Sequence, residues 1–593
     1  MERLNFFDIP PDILEATLLL LALPSLLTLR ATNRFLNEFI HSSIRLRYHY
    51  HLECFGLEEQ HGDRAISIQE RMTALIERER RWLNLLPCQS VKLDVTGQTS
   101  LYITDRVMLA IFNTTNSDPR KTFASAETMP GPETKSVVAQ PKWRPSGSAR
   151  NLREVHACEA NDLLVVLEYD AVAPNSEIYA ADLRFLQLST GLPHPHASQP
   201  TMRLVEYDLS NIADHSLPAM LQSAGSNLAI ILDTTDHETE DLFLLYMVDW
   251  RRGAHLTVPF ACSTSALAFL SPDTFVLANA VDLSLDVFRI PPWEIDLVEL
   301  ERFASLSLPP MPRNTRDLST LGSVFRCSST MSWDDPQNSA RSASFPQPRF
   351  HFSPKKQHTV FLFIYLIASA HPSLADTRIN FVVRSHDLLA LLGLPTSNQS
   401  SHRSYTPEDW VPRCARWLAP VPWPDANDNL FLMSSNASVA NSGARIIGFR
   451  EREGRGAISH PRQVVVLDTN PWTVEIVRRA AAAAAATTDY DNADGDNVPI
   501  WKQLGILPGV AADGTLRTES GAVLRLMSSQ SGSSAGSYAS AGTLPHAWAS
   551  NLAYVEITSA TTHDYLILRI NNESIVGYSG GDPDHSSELL FFG

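Results

Sequence analysis

The hydrophobic period of this chain changes once, near Pro87, and that change constrains its fold more than any other feature. From Pro11 to about Leu86 apolar residues recur at three and four with few glycines, the spacing of helices that bury one face. After Pro87 the apolar runs shorten to five to eight residues, separated by Gly, Pro, Asn, Asp and Ser, which is the pattern of strands and turns. With 593 residues, 44% hydrophobic and 19% charged, the chain has the material to fold over most of its length. The expected fold class is α+β in several units. A small three-helix module spans residues 1–60, a linker helix 61–88, and a large all-β, propeller-like region 89–593.

Within the helical part, Pro10 and Pro11 open a first helix, where a missing N–H costs little, and Ile13, Leu14, Thr17, Leu18 and Leu21 form its face. Pro24 starts a second helix with Leu26, Leu27 and Leu29 inside. Asn33 is placed to cap a third helix carrying Phe35, Phe39, Ile40 and Ile44. Between Ala65 and Leu86, a stripe of Ile68, Met72, Leu75, Trp82 and Leu86 predicts a helix with Arg78, Glu79, Arg80 and Arg81 on its solvated side.

In the β-rich part, strands are expected over residues 100–112, 162–169, 183–188, 202–209, 227–233, 241–249, 266–270, 274–278, 284–290, 359–367, 379–383, 444–450, 462–468, 552–557 and 565–570. Some recur as pairs: NLAIILD before LFLLYMVDWRRG, ARIIGFR before RQVVVLD, and NLAYVEI before DYLILRI. Hairpins repeating over tens of residues point to radially arranged sheets. The segment Val248–Gly253 resembles the Trp-Asp ending of WD-type blades, and Leu267–Asn279 resembles the opening of the next blade. Low-complexity inserts are expected at about 113–150, 303–348, 480–497 and 528–543, where Ser, Pro, Gly or Ala dominate and burial cannot offset ordering entropy.

Charge and cysteine usage narrow the function. The formal net charge is -17, which repels phosphate backbones and argues against nucleic-acid binding. Six scattered cysteines, with no CxxC pair, fit reduced thiols in the cytoplasm or nucleus. Leu18–Leu29 is too short to cross a bilayer and contains Pro24, and Asp8, Asp12 and Glu15 precede it where a secretion signal would be basic. Neither secretion nor membrane insertion is expected.

The segment DIPPDILEATLLLLALPSLLTLRATNRFLNEFI, Asp8 to Ile40, resembles the F-box family. The positions that carry the resemblance are Ile9, Pro10, Asp12, Ile13 and Leu14, then Leu18, Leu21 and Leu23, then Pro24, Leu26, Leu27 and Leu29, then Asn33, Arg34, Phe35, Phe39 and Ile40. Ala31, Thr32 and Asn33 depart from it, since the family commonly has Leu or Val with Cys or Ser before the basic residue. The layout, with the RERRWLNL segment and a long β-rich remainder, is similar to the F-box proteins numerous in mushroom-forming fungi. The resemblance implies docking on the Skp-type adaptor subunit of a cullin-RING (SCF-type) ubiquitin ligase, with the β-rich region selecting an unidentified protein cargo. A module this small carries more large aliphatic side chains than it can hide, and spaced anchors of this kind are read by partner grooves. Ile9, Pro10, Ile13, Leu14, Leu26 and Phe35 are the candidate contacts. They could instead pack the helices against the body.

No catalytic motif stands in a fitting strand-to-helix context, so an enzyme, a cofactor and a metal are not expected. His194 and His196 flank a proline in a Pro-rich loop and read as surface residues. The acidic run Asp489–Asn497 lacks the closing Glu of a calcium loop, since position 500 is Ile500. Trp250, Trp293, Trp410, Trp417 and Trp423 fit blade cores or a ligand groove. Two other functions remain open: an F-box scaffold without a role in ubiquitination, and a hydrolase with its site in a propeller channel.

Overall fold

The computed structural model of the chain describes residues 9–59, 66–94, 98–103, 107–113, 122–128, 152–173, 178–208, 219–233, 243–293, 300–308, 324–328, 350–352, 360–367, 377–393, 402–418, 441–450, 462–485, 498–510, 514–527, 552–579 and 586–592, residues 22, 257 and 572 aside. Expectations for 528–543, for the acidic run 489–497 and for Trp423 fall outside the described residues.

Five helices precede the β-rich region: α1 (Pro11–Leu18), α2 (Leu23–Thr32), α3 (Arg34–Ser42), α4 (Ile44–Phe55) and α5 (Ile68–Asn84). Pro11 stands at the first turn of α1, and Asn33 caps α3, its Oδ1 accepting from the Leu36 N–H at 3.2 Å. The third helix stops at Ser42, two residues before the Ile44 that its apolar spacing includes. Ser43 interrupts it and caps α4 by accepting from the Leu46 N–H at 3.2 Å, so Ile44 opens a new helix. Gly56, at φ 68°, ends α4 in the left-handed region that glycine adopts at little cost. The chain can then turn into the strand Leu57–Glu59, which pairs with Phe350–Phe352.

Five sheets of four or five strands are arranged like propeller blades. The first is a meander of Leu152–Cys158, Leu163–Ala171, Ile178–Gln187 and Thr201–Asp208. Ala219–Ala224, Asn227–Asp233 and Phe243–Asp249 build the second, with two short strands at its edge. Leu267–Ser271, Thr274–Asn279, Ser284–Arg289 and Glu301–Ser307 build the third, to which Arg403–Tyr405 adds in parallel. Val324–Ser328, Val360–Ile367, Thr377–Arg384 and Ala415–Leu418 form the fourth. In the fifth, Gln89–Asp94 pairs with Ser586–Phe591 near the far end of the chain, beside Ser574–Ser579 and Tyr565–Ile570. A three-stranded sheet, from Gln98 to Thr128, and a seven-stranded sheet complete the region.

Strand alternation explains why the sheets stack face to face. Leu228, Ile230 and Leu232 share a core with Leu163, Val165 and Phe185 of the first blade. The intervening Ala229 and Ile231 pack instead with Phe269, Phe275 and Phe288 of the third. A strand buried on both faces reads as the unbroken apolar run NLAIILD rather than as an alternating one.

Several expectations need correction. The run 100–112 is two strands, Gln98–Ile103 and Val107–Asn113, paired as a hairpin. Strands also occupy Thr122–Thr128 and Val324–Ser328 inside segments expected as inserts, and Glu301–Ser307 runs into the start of one, because neighbouring strands complete their hydrogen bonds. The alanine run is helical to Ala485, the end of a helix that starts at Pro471. NLAYVEI and DYLILRI do not form a hairpin: Asp564 alone separates Tyr554–His563 from Tyr565–Ile570, too little for a turn, and the strands lie in different sheets.

The largest correction concerns α5. Arg78 and Glu79, expected on the solvated side, are each only 2% exposed, whereas Leu86 is 55% exposed. Glu79 is the shared acceptor of Arg78 and of Arg445, and Arg445 also donates to Asp468 at 3.3 Å. The Arg445 guanidinium stacks over the Trp82 ring at 4.7 Å. Burial pushes the Asp468 carboxyl above the ordinary carboxylate range, against the pull of Arg445. The side of this helix expected to be solvated is thus partly buried. With α4 the helix enters the core of the seven-stranded sheet, where Leu52, Phe55, Met72, Leu75 and Trp82 pack with Val464, Val466, Val555 and Ile557. None of the described helices is long and apolar enough to cross a membrane.

Candidate docking surface

The helices α1 to α3 have a core of their own. Leu14, Leu18, Leu26, Leu36, Ile40 and Leu46 form it, with Ile9, Leu19, Leu21, Leu29 and Phe39 packed around them. Leu46 is the contribution of α4, whose Tyr48, Leu52 and Phe55 face the larger core together with α5, so α4 bridges the two. Ser43 joins the elements by donating to Glu15 of α1, and Arg45 lies 3.7 Å from the same carboxylate. The junction with the body is polar and aromatic: the Arg30 guanidinium lies over the Tyr50 ring at 4.9 Å, and Tyr50 meets the edge of Trp472 at 6.0 Å. Asn470 donates to the Cys54 carbonyl at 3.1 Å and ties α4 to the loop before the alanine-rich helix.

The six candidate contacts divide into two groups. Leu14 and Leu26 are 3% and 1% exposed and hold the small core together. Ile9 packs partly buried against them. Ile13 and Phe35 are 58% and 46% exposed, and Pro10 is exposed as well. Phe35 stacks on Phe39 at 6.1 Å, which holds its ring at the surface. Leu20, 87% exposed in the turn after α1, is a candidate that the sequence reading passed over. Its signal was there, since an all-apolar stretch on so short a helix cannot be buried on every side.

In the β-rich region Trp250, Trp293 and Trp410 serve packing, and the side chains of Trp417 and Trp423 lie outside the description. Trp250 and Trp410 are fully buried. Trp410 Nε1 donates to the Ser307 carbonyl at 2.8 Å, and the Trp293 indole donates to Asn227 Oδ1 at 2.6 Å. Asp249, before Trp250, accepts from the Arg251 and Arg252 N–H groups at 3.0 and 3.2 Å and closes the turn. His194 is not a surface residue: it is 5% exposed and lies against Trp250 at 4.8 Å. Its Nε2 donates to the Asn161 carbonyl at 3.0 Å, and its Nδ1 accepts from the His196 N–H at 3.2 Å. Both ring nitrogens are thus engaged in the neutral form that burial favours. Among the described residues no group of His, Cys, Asp and Glu could hold a metal ion, and the cysteines at 54, 88, 158, 262 and 414 form no disulfide.

No family model matches the chain, and no curated protein matches it. Among solved structures, the tricorn protease is similar at 7% identity and a TM-score of 0.24 over 81% of this chain and 36% of that one. Hsv2 of Kluyveromyces lactis is similar at 10% identity and a TM-score of 0.18 over 36% of this chain and 75% of that one. The chain thus spans about a third of the tricorn protease's length. Likeness at these scores carries no argument about function.

Proposed function

We propose that this protein is a substrate-recruiting adaptor of a cullin-RING ubiquitin ligase rather than an enzyme, acting in the cytoplasm or nucleus. Its N-terminal helices dock on a Skp-type subunit, and its propeller-like region binds a protein cargo. The observation that carries this reading is a helical unit with its own core that leaves Ile13, Leu20 and Phe35 at the surface. Large apolar side chains exposed on short helices are the anchors a partner groove takes up. A propeller-like body is compatible with cargo binding, since loops on a rigid sheet scaffold are common recognition surfaces. The resemblance of Asp8–Ile40 to the F-box family supplies the identity of the docking partner.

The ligase half of the reading is tested by proximity labelling with and without proteasome inhibition, followed by depletion of the chain. Expected is a labelled protein that accumulates both on inhibition and on depletion. If labelled partners keep their abundance and half-life on depletion, the chain is a scaffold and delivers no cargo.

A further inference from the structure

A cleft of about 480 Å³ lies beside two short helices next to the third and fourth blades, α6 (Ser385–Leu392) and α7 (Pro407–Cys414). Among the described residues that line it, three are charged: Arg384, Asp387 and Arg413. Ala390, Leu391, Pro412 and Leu552 supply the rest of its wall. Its volume lies in the range of sites that hold small ligands, about 300 to 1,000 Å³.

The two guanidiniums differ in freedom. Arg384 is fixed at the N-terminal end of α6, one arm donating to Asp387 at 3.0 Å and the other to the Thr469 carbonyl at 3.0 Å. Arg413, in the last turn of α7, is exposed, and among the described residues it donates to no carboxylate within hydrogen-bond distance. Among the described residues that line the cleft two guanidiniums face one carboxylate, Asp387, and Asp409, one turn back on α7, shares the field of Arg413 without lining the cleft, in a chain whose net charge is -17. At long range the protein repels anions, so attraction here must be local. The apolar wall is also held in place, because Arg416 donates to the Leu552 carbonyl at 2.5 Å.

We infer that this cleft binds a carboxylate carrying a branched apolar group. A guanidinium matches the carboxylate in charge and shape, two guanidiniums facing one carboxylate suit a monoanion better than a phosphate dianion, and the aliphatic wall takes the branched group. A polypeptide terminus ending in leucine and a free branched-chain acid both present this chemistry. The inference does not rest on the docking of the N-terminal helices.

Calorimetric titration of the full chain tests it, with four probes: acetyl-Gly-Gly-Leu as the free acid, the same peptide as its C-terminal amide, 4-methylpentanoate, and inorganic phosphate. The acid should bind saturably, and the amide about tenfold or more weaker. Arg413→Ala removes the guanidinium that, among the described residues, donates to no carboxylate, and Ala390→Glu places an anion at the rim. Both sites are exposed, and each variant should weaken the acid about tenfold or more while melting like the wild type. Tighter binding of the peptide acid assigns the cleft to chain termini, and equal or tighter binding of 4-methylpentanoate assigns it to free acids. Equal binding of acid and amide, wild-type binding by the two variants, tighter binding of phosphate, or no saturable binding by either carboxylate would overturn the inference.

Discussion

Glu79 is the residue on which most depends. Two buried guanidiniums, Arg78 and Arg445, share its carboxylate, and its removal leaves both without that partner in a low-dielectric core. Glu79→Ala should destabilise the protein by about 3 to 5 kcal/mol, read as a lowered urea midpoint. Arg34→Ala should leave the midpoint where it is, because the Arg34–Glu38 pair stands in solvent on one helix face. His156 tests burial from the opposite direction. It joins the first two blades through Ser223 Oγ at 2.8 Å, and desolvation pushes its imidazole down to about 4. A histidine with a depressed folded pKa contributes its full stability above the unfolded value near 6.5 and loses it as pH falls from there toward 4. The urea midpoint should therefore drop between pH 7 and pH 5, by about 2 kcal/mol in stability for this group, and His156→Gln should make the profile shallower while leaving the share of His51, which burial also pushes down to about 4.

At the scale of elements, the small core and its surface make separable predictions. Leu14→Asp buries a charge among Leu18, Leu26 and Leu36 and should unfold α1 to α3, seen as lost helical circular dichroism and faster proteolysis before residue 44. Ile13→Asp with Phe35→Asp should keep the helical signal and the melting temperature of the wild type, since both side chains already face solvent. Much of this was legible in the sequence: the proline entry to α1, the Asn33 cap and the apolar spacing are local signals. The division of Leu14 and Leu26 from Ile13 and Phe35 was not, because an F-box-like pattern names apolar positions without saying which ones the small core takes up. The same limit hid the role of α5. The partner of Glu79 is Arg445, 366 residues away, and no local window distinguishes a buried charge network from a solvated charged face. The cleft beside α6 and α7 was unreadable for a like reason, as its wall draws on Leu552 far along the chain.

For the whole molecule, Gln89–Asp94 pairs with Ser586–Phe591, so the first strand of the β-rich region closes the sheet built by its last three. That pairing covers the edge of Ser586–Phe591, which would otherwise be open to other chains. Deleting residues 586–593 should expose two edges, at Gln89–Asp94 and Ser574–Ser579, and shift the protein to large species in light scattering; a sharp, wild-type-like elution would speak against closure as a stabilising device. Separately, α1 to α3 with Leu46 of α4 hold a core distinct from those of the β-rich region, and the proposed adaptor role would use that separation to hold two partners at once. The most direct test is titration of a purified Skp-type subunit into the full chain. The account predicts saturable one-to-one binding, weakened about tenfold or more by Ile13→Asp with Phe35→Asp at unchanged melting temperature. Absence of binding, or equal binding by the wild type and this folded variant, would contradict it.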